Sequence, residues 1–195
     1  MGSTAHKRMN LIAAMVDSSQ GIGLQNSLPW HLPKEYAYFV KMTTRTVDPN
    51  KKNAVIMGRL CWESVPAKYR PLKGRINVVL SRTLMEPPAP GVLLAGSLEE
   101  AVRLLCSPPL ADQVETIWNV GGNAVYEAGM RSPLFHRLYL TRIYDHFETD
   151  VFFPPVKWED YHEIEPPAEY AGEQEEKGVR YRFCVYEKNS ATNSA

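Results

Sequence analysis

Cysteine is scarce in this chain. Cys61, Cys106 and Cys184 are odd in number, far apart and never in a CxxC spacing. That excludes a disulfide framework and a cysteine-based zinc site, and it implies reduced thiols in a cytoplasmic setting. Net charge is missing as well, with Lys+Arg and Asp+Glu at 22 each. A nucleic-acid binder would normally carry a basic excess, so no nucleic-acid partner is indicated, although local basic clusters can still hold an anionic ligand. No stretch reaches the ~18 uninterrupted apolar residues of a membrane span, so no membrane partner is expected. Met1–Arg8 is polar and lacks an apolar signal region. There is no internal repeat, and no GxGxxG fingerprint of the standard dinucleotide fold.

What is present is ordinary globular sequence. At 195 residues and 44% hydrophobic, the chain can bury one sizeable core. Residues 1–9 are expected to be a loosely held leader, 10–188 a single domain and 189–195 a polar tail. Asn10–Val16 and Asn53–Met57 are continuous apolar runs, the pattern of strands buried on both faces. Ile76–Leu80, Val92–Leu94, Glu115–Val120 and Leu138–Ile143 read as further strands. Pro33 suits the first position of a helix whose apolar stripe is Leu32, Tyr36, Phe39 and Met42/Thr43, and a shorter helix is expected near Cys61–Ser64. Ser97 and Glu100 form a capping-box pair before a helix that Pro108-Pro109 ends. Tyr161–Glu165 and Val179–Glu187 read as an antiparallel ribbon around a polar connection. The expected fold is therefore α/β: a central, mostly parallel mixed sheet, helices on both faces and a C-terminal antiparallel β-ribbon.

Two features concentrate chemistry. In Gly21–Trp30, two glycines that permit tight turning and close approach to a ligand precede a stiff Leu28-Pro29-Trp30 corner, and Glu35 follows in a helix's first turn. A mobile lid over an acidic site fits these residues, and so does a plain strand-to-helix connector. The second feature is a set of three strand ends, where ligands collect in an open α/β sheet. Gly121-Gly122 after Val120 can offer helix N-terminal N–H groups to a pyrophosphate. Gly58-Arg59 after Met57 adds a positive charge, and Ser81-Arg82-Thr83 after Leu80 offers hydroxyls and a guanidinium to a phosphate monoester. NADPH would use all three, while each alone is equally a turn or a solvated arginine.

Taken together, the motifs closely resemble dihydrofolate reductase of the animal type, from Asn10 to Glu187. They are Gly21-Ile22-Gly23, Leu28-Pro29-Trp30, Glu35, Val55–Arg59, Arg70–Asn77, Leu80-Ser81-Arg82, Val120-Gly121-Gly122, Thr141-Arg142-Ile143 and Asp150–Pro154. The resemblance implies NADPH-dependent reduction of 7,8-dihydrofolate to tetrahydrofolate by a cytoplasmic, monofunctional monomer, open to antifolates and needing no metal. It implies that Glu35 holds the pteridine, that Thr141 bonds its carboxylate and that Trp30 positions an ordered water. Ile12, Ala14, Leu28, Tyr36, Phe39, Val65, Tyr69, Leu72, Val120 and Tyr126 would line the substrate pocket, and Arg75 would clamp the α-carboxylate of the glutamate tail. The cofactor would meet Ala14, Gly21, Ile22, Gly23, Ser27, Gly58, Arg59, Leu60, Cys61, Leu80, Ser81, Arg82, Thr83, Val120, Gly121, Gly122, Asn123, Ala124 and Val125. At Glu35 a helix N-terminus favours the carboxylate by only ~0.3–1 kcal/mol. Complete burial can raise a carboxyl by roughly 3–5 pKa units, so burial should win.

The chain also departs from the family pattern. Cys61 stands where a threonine is usual, Leu60 where a lysine is common and Gly96 where an arginine often lies, which shifts the charge on the cofactor to Arg59 and Arg82. Tyr36 replaces a phenylalanine, Val151 a threonine and Ser27 an aspartate, and Asn119 is polar at a typically apolar position. A reductase of another pterin or pyrimidine would leave Arg75 without a task. A non-catalytic nucleotide-binding module would leave the Glu35 pocket without one. An RNA-binding role finds no basic-aromatic pattern.

Overall fold

The apolar run at the start becomes strand β1 (Met9–Val16), buried along nearly its whole length. In the computed structural model, which describes residues 7–190, β1 lies near the middle of a nine-stranded sheet. The other strands are β2 (Gly21–Gly23), β3 (Lys52–Gly58), β4 (Ile76–Leu80), β5 (Leu93–Ala95), β6 (Val114–Asn119), β7 (Phe135–Ile143), β8 (Val151–Phe152), β9 (Tyr161–Ile164), β10 (Glu173–Glu176) and β11 (Val179–Lys188). The α-helices are α1 (Pro33–Thr44), α2 (Arg59–Ser64), α3 (Leu98–Leu105), α4 (Leu110–Gln113) and α5 (Asn123–Arg131). The strand order is β10-β11-β7-β1-β6-β3-β4-β5, with β9 also on β11. From β7 to β5 all neighbours are parallel. β11 runs antiparallel to β7, and β9 and β10 pair antiparallel with β11. This is the mostly parallel mixed sheet with an antiparallel edge that the sequence implies.

The two faces of the sheet build two cores because side chains alternate along each strand. Leu11 and Met15 of β1, Ile56 of β3 and Leu138 and Leu140 of β7 pack with Leu98, Ala101 and Leu105 of α3 and Tyr126 of α5. On the other face, Ile12 and Val16, Val55 and Met57, and Phe183 of β11 pack with Tyr38 and Met42 of α1 and Trp62 of α2. The stripe on α1 differs from the expected one. Tyr38 is its buried aromatic and stacks on Phe183 with ring centroids 3.9 Å apart, whereas Tyr36 is 47% exposed. The reason is rotation: α1 presents Glu35, Tyr38 and Met42 to the sheet, which turns Tyr36 and Phe39 toward the cleft.

Three other expectations need correction. β1 starts at Met9, and Lys7 and Arg8 are already tied down: Lys7 Nζ donates to the Ala111 and Val114 carbonyls at 2.6 Å each, and the Ile117 N–H donates to the Arg8 carbonyl at 3.1 Å. The rest of the leader and of the polar tail, 1–6 and 191–195, lies outside the described residues. The polar connection Glu173–Glu176 is strand β10, an edge strand whose acidic sequence carries no apolar alternation to announce it. Glu100 reaches the N–H of Gly96 at 2.7 Å, one residue before the Ser97 cap, while Ser97 Oγ accepts from the Glu100 N–H at 3.1 Å.

Helix α5 lies close against β6 because of Gly129. A Cβ there would stand 2.4 Å from Nδ2 of Asn119 and 3.1 Å from Leu11. Asn119 cannot swing away cheaply, since Nδ2 donates to the Val125 carbonyl at 2.7 Å. In an open helix Gly→Ala gains ~1 kcal/mol, but overpacking a core typically costs about 1–3 kcal/mol. Gly129→Ala is therefore expected to lower the urea midpoint, and a raised midpoint would show that α5 can move away.

Candidate functional site

Because β1, β3, β4, β6 and β7 are parallel, their carboxyl ends share one edge of the sheet, where the Gly58, Leu80 and Val120 strand ends meet, whereas Arg75 precedes β4 at its amino end. The geometry starts from α1. Pro33 occupies N1 and Leu32 sits at the N-cap, where it offers no side-chain acceptor. The cap comes from elsewhere: the Lys34 N–H donates to both carboxylate oxygens of Glu176 at 2.9 and 3.1 Å, from 142 residues away. At the other end Nδ2 of Asn53, on β3, donates to the Thr43 and Arg45 carbonyls at 3.0 and 2.8 Å. Both termini of α1 are thus held by buried side chains from the sheet. Nothing local in the sequence signals either partner.

Glu35 hangs from the first turn of this clamped helix at 8% exposure. Thr141 Oγ1, on β7, donates to its carboxylate at 2.8 Å. Burial pushes the Glu35 carboxyl up to about 7; the Thr141 hydrogen bond opposes that shift and the Glu176 charge adds to it. Trp30 is buried, edge-on to Phe147 at 5.6 Å, and its Nε1 has no hydrogen-bond partner among the described residues. Tyr36 and Phe39 stack at 5.9 Å along the open side of α1, while Leu28 is 55% exposed. Leu72 is buried, Val65 partly so, and Tyr69 stands exposed on a single 3₁₀ turn, Ala67–Tyr69.

Arg75 lies at the far end of α1. Its Nη1 donates to Thr43 Oγ1 and its Nε to the Lys73 carbonyl, both at 2.9 Å. Thr43 Oγ1 sends its own proton to the Phe39 carbonyl at 2.8 Å, which leaves its lone pairs to Arg75. The loop that carries Arg75 is pinned by buried Asn77. Its Oδ1 accepts from the Leu72 N–H at 2.9 Å, and its Nδ2 donates to the Leu72 and Arg75 carbonyls at 2.9 and 3.0 Å. Partial burial lowers the Arg75 pKa below the ordinary arginine value, with Tyr36 opposing.

On the strand ends beyond β6 and β3, Gly121 adopts φ +99°, and a Cβ there would collide with the Tyr126 ring at 2.6 Å. Asn119 accounts for its own polarity at a core position: Oδ1 accepts from the Gly121 N–H at 3.1 Å while Nδ2 holds the Val125 carbonyl, so the amide braces the Gly-Gly turn. The Gly58 N–H donates to the Gly121 carbonyl at 2.8 Å, joining two of the strand ends. Tyr126 OH is committed to the Ile12 carbonyl at 2.7 Å. Cys61 turns its thiol to the Val120 carbonyl at 3.5 Å, and burial pushes it up to about 11, so thiolate chemistry is suppressed. Ala14 is half-buried beside this turn and Val125 partly so, whereas Asn123, Ala124 and Leu60 are exposed. Arg59 is engaged by Glu63 at 2.7 Å across one helical turn, so its charge is shared. At the end of β4, Ser81 Oγ accepts from the Thr83 and Leu84 N–H groups at 3.2 and 3.1 Å, shaping the turn that leaves Arg82 and Thr83 exposed and Leu80 half-buried.

The glycine stretch is more ordered than a free loop. Gly21–Gly23 forms β2 and pairs antiparallel with β8. Neither glycine has positive φ; Gly21 is required because a Cβ would overlap the Thr149 side chain at 2.0 Å. Beyond it, Leu24 and Ser27 exchange backbone hydrogen bonds of 2.9 Å around Gln25 and Asn26, whose φ of 48° and 56° define a type I′ turn. The Gln25 N–H donates to the Asp150 carboxylate at 3.0 Å, Ile22 packs partly into the core and Ser27 is exposed.

This fold and this edge define an α/β enzyme with a buried carboxyl, Glu35, beside a mostly parallel sheet. The sequence profile described as dihydrofolate reductase matches residues 8–188. The chain is 47% identical over 185 residues to the dihydrofolate reductase of Gallus gallus, covering 94% of this chain and 97% of that one. It is 48% identical over 182 residues to that of Rattus norvegicus, covering 92% and 97%. The solved Schistosoma mansoni dihydrofolate reductase superposes with a TM-score of 0.84 at 34% identity, covering 95% of this chain and 100% of that one. The chain belongs to the dihydrofolate reductase family, with animal-type members as relatives, and is an oxidoreductase that reduces dihydrofolate to tetrahydrofolate.

The raised carboxyl has a thermodynamic signature. A carboxyl whose folded pKa is about 7, against an ordinary 4.5, contributes stability that is complete below 4.5 and lost as pH rises through 7. Glu35→Gln should therefore stabilise the free protein above neutrality, by up to about 3 kcal/mol, with the gain vanishing toward pH 4. Denaturant midpoints of both proteins across this range check it; a pH-independent gap would contradict the raised value.

Proposed function

We propose that NADPH is the hydride donor, that Glu35 and Arg75 hold the two ends of dihydrofolate, and that the enzyme works as a cytoplasmic monomer. The single observation behind the substrate assignment is the layout of α1. Glu35 occupies its first turn and Arg75 is bonded to Thr43 in its last turn. Thr43 lies eight positions along the helix from Glu35, about 12 Å at ~1.5 Å per residue. A ligand spanning the two needs a hydrogen-bonding heterocycle at one end and an anion at the other. Dihydrofolate is such a molecule, and a tail-less pterin is not.

Glu35 with a pKa near neutrality can accept the N–H donors of a pteridine and can also retain or pass a proton. Thr141 fixes the orientation of that carboxyl, and the Trp30 N–H, unpartnered among the described residues, would hold an ordered water. Leu28, Tyr36, Phe39, Val65, Tyr69 and Leu72 would cover the aromatic middle of the substrate, with Ile12, Ala14, Val120 and Tyr126 as the floor.

For the cofactor, the Gly121-Gly122 turn is the supporting observation. A Cβ on Gly122 would meet nothing within 4 Å, so its outer side is open, whereas the inner side of Gly121 is filled by Tyr126. That shape fits a pyrophosphate over the start of α5. Gly58, Cys61, Asn123, Ala124 and Val125 would flank it. Arg82 and Thr83 would take the ribose phosphate, with Leu80, Ser81, Leu60 and Arg59 around them. NADPH, when bound, supplies the hydride. Gly21, Ile22, Gly23 and Ser27 would close over that side, and closure would exclude water. No helix of the described residues is long and apolar enough to cross a membrane. Folate-shaped inhibitors would compete for Glu35 and Arg75.

Loss of NADPH absorbance on mixing with dihydrofolate tests the reading, and equal rates with NADH would argue against a phosphate-specific site. Arg75→Leu removes a charge-assisted contact of about 1.5–3 kcal/mol, roughly 10- to 100-fold in the KM for dihydrofolate. The KM for NADPH should be unchanged, and parallel losses in both would contradict the assignment.

A further inference from the structure

We infer that Glu176 is a positioning residue for Glu35: the β10–β11 hairpin delivers its carboxylate to the start of α1, where it fixes the carboxyl that binds the pteridine. The inference rests on the reading of Glu35 as that carboxyl. Helix α1 needs an outside acceptor, because Leu32 cannot cap and Pro33 has no N–H. The first amide available is that of Lys34, one residue before Glu35, and both Glu176 oxygens accept from it. Tyr181 OH donates to the Glu176 carboxylate from the far side at 3.4 Å. The strand itself does not require this residue. Glu173 and Glu175 are exposed, whereas Glu176 is 8% exposed at the very end of β10. The hairpin aims it inward through a tight turn with φ 52° at Lys177 and 79° at Gly178.

The same placement sets the charge around Glu35. The titratable groups that face it are Glu176 from β10, Tyr181 from β11, Tyr126 from α5 and Tyr38 from α1. Thr141 from β7 completes the surroundings without a charge. Glu176 is the carboxylate among them, and its charge opposes ionisation of Glu35. Glu176 therefore acts in two separable ways: as acceptor it holds the backbone before Glu35, and as anion it favours the protonated form of Glu35.

Two substitutions in the full-length protein separate these. Glu176→Gln keeps an acceptor for the Lys34 N–H and removes the charge, whereas Glu176→Ala removes both. Carboxyl ¹³C NMR of Glu35 in the free protein, which needs no turnover, should show a titration midpoint lower by about half a unit or more in E176Q. In steady-state assays with NADPH and dihydrofolate, E176A should raise the dihydrofolate KM severalfold, because the backbone before Glu35 loses its acceptor. E176Q should restore most of that loss, and the NADPH KM should hold in both. A Glu35 midpoint unmoved in E176Q overturns the inference, as does an E176A protein with an unchanged dihydrofolate KM. A wild-type protein that titrates as described but does not turn over counts against the proposed reaction and leaves the NMR result to judge Glu176.

Discussion

The hydrogen bond from Thr141 to Glu35 governs the cleft because it is made where water is scarce. A carboxyl in that position must either find partners or keep its proton, and Glu35 does some of both. For that to work, the helix that carries it cannot drift. The sheet meets this demand by holding α1 at both ends, with Glu176 at its N-terminus and Asn53 at its C-terminus. The helix that carries the carboxyl is held by strands on opposite sides of β1, so the carboxyl's geometry is a property of the sheet and not of the helix alone.

Much of this was legible from residues whose signals are local. The apolar runs marked β1 and β3, Pro33 marked the start of α1, and Ser97 marked that of α3. The ordered motifs carried the family and the fold. What stayed hidden depends on partners distant along the chain. Glu176 lies in a stretch of acidic residues that looks solvated until β11 folds against it. Tyr38 and Tyr36 are two positions apart on one helix, and only the sheet decides which is inside. Gly21 suggested a turning backbone, but its cause is the Thr149 side chain across β8, which no local pattern discloses.

The strand ends around the Gly121-Gly122 turn show how unusual residues can be absorbed without loss of architecture. Asn119 would be a liability in an apolar core, yet both ends of its amide are satisfied by backbone of the Gly-Gly turn and α5. Cys61 is likewise occupied by the Val120 carbonyl. Arg59 is bound to Glu63, so among the described residues at these strand ends Arg82 is the exposed guanidinium that would carry the proposed phosphate contact.

Because α1 is clamped at both ends, it serves as a gauge. On the proposed reading of Glu35 and Arg75, the number of residues from Glu35 to Thr43 would set how far apart the heterocycle and the anion of a ligand are held. One residue more or fewer would turn Thr43 by about 100° around the helix axis and carry it off the face that meets Arg75. On that reading, length selectivity for the ligand would be written into helical register, and a change in preferred chain length would have to come through whole turns.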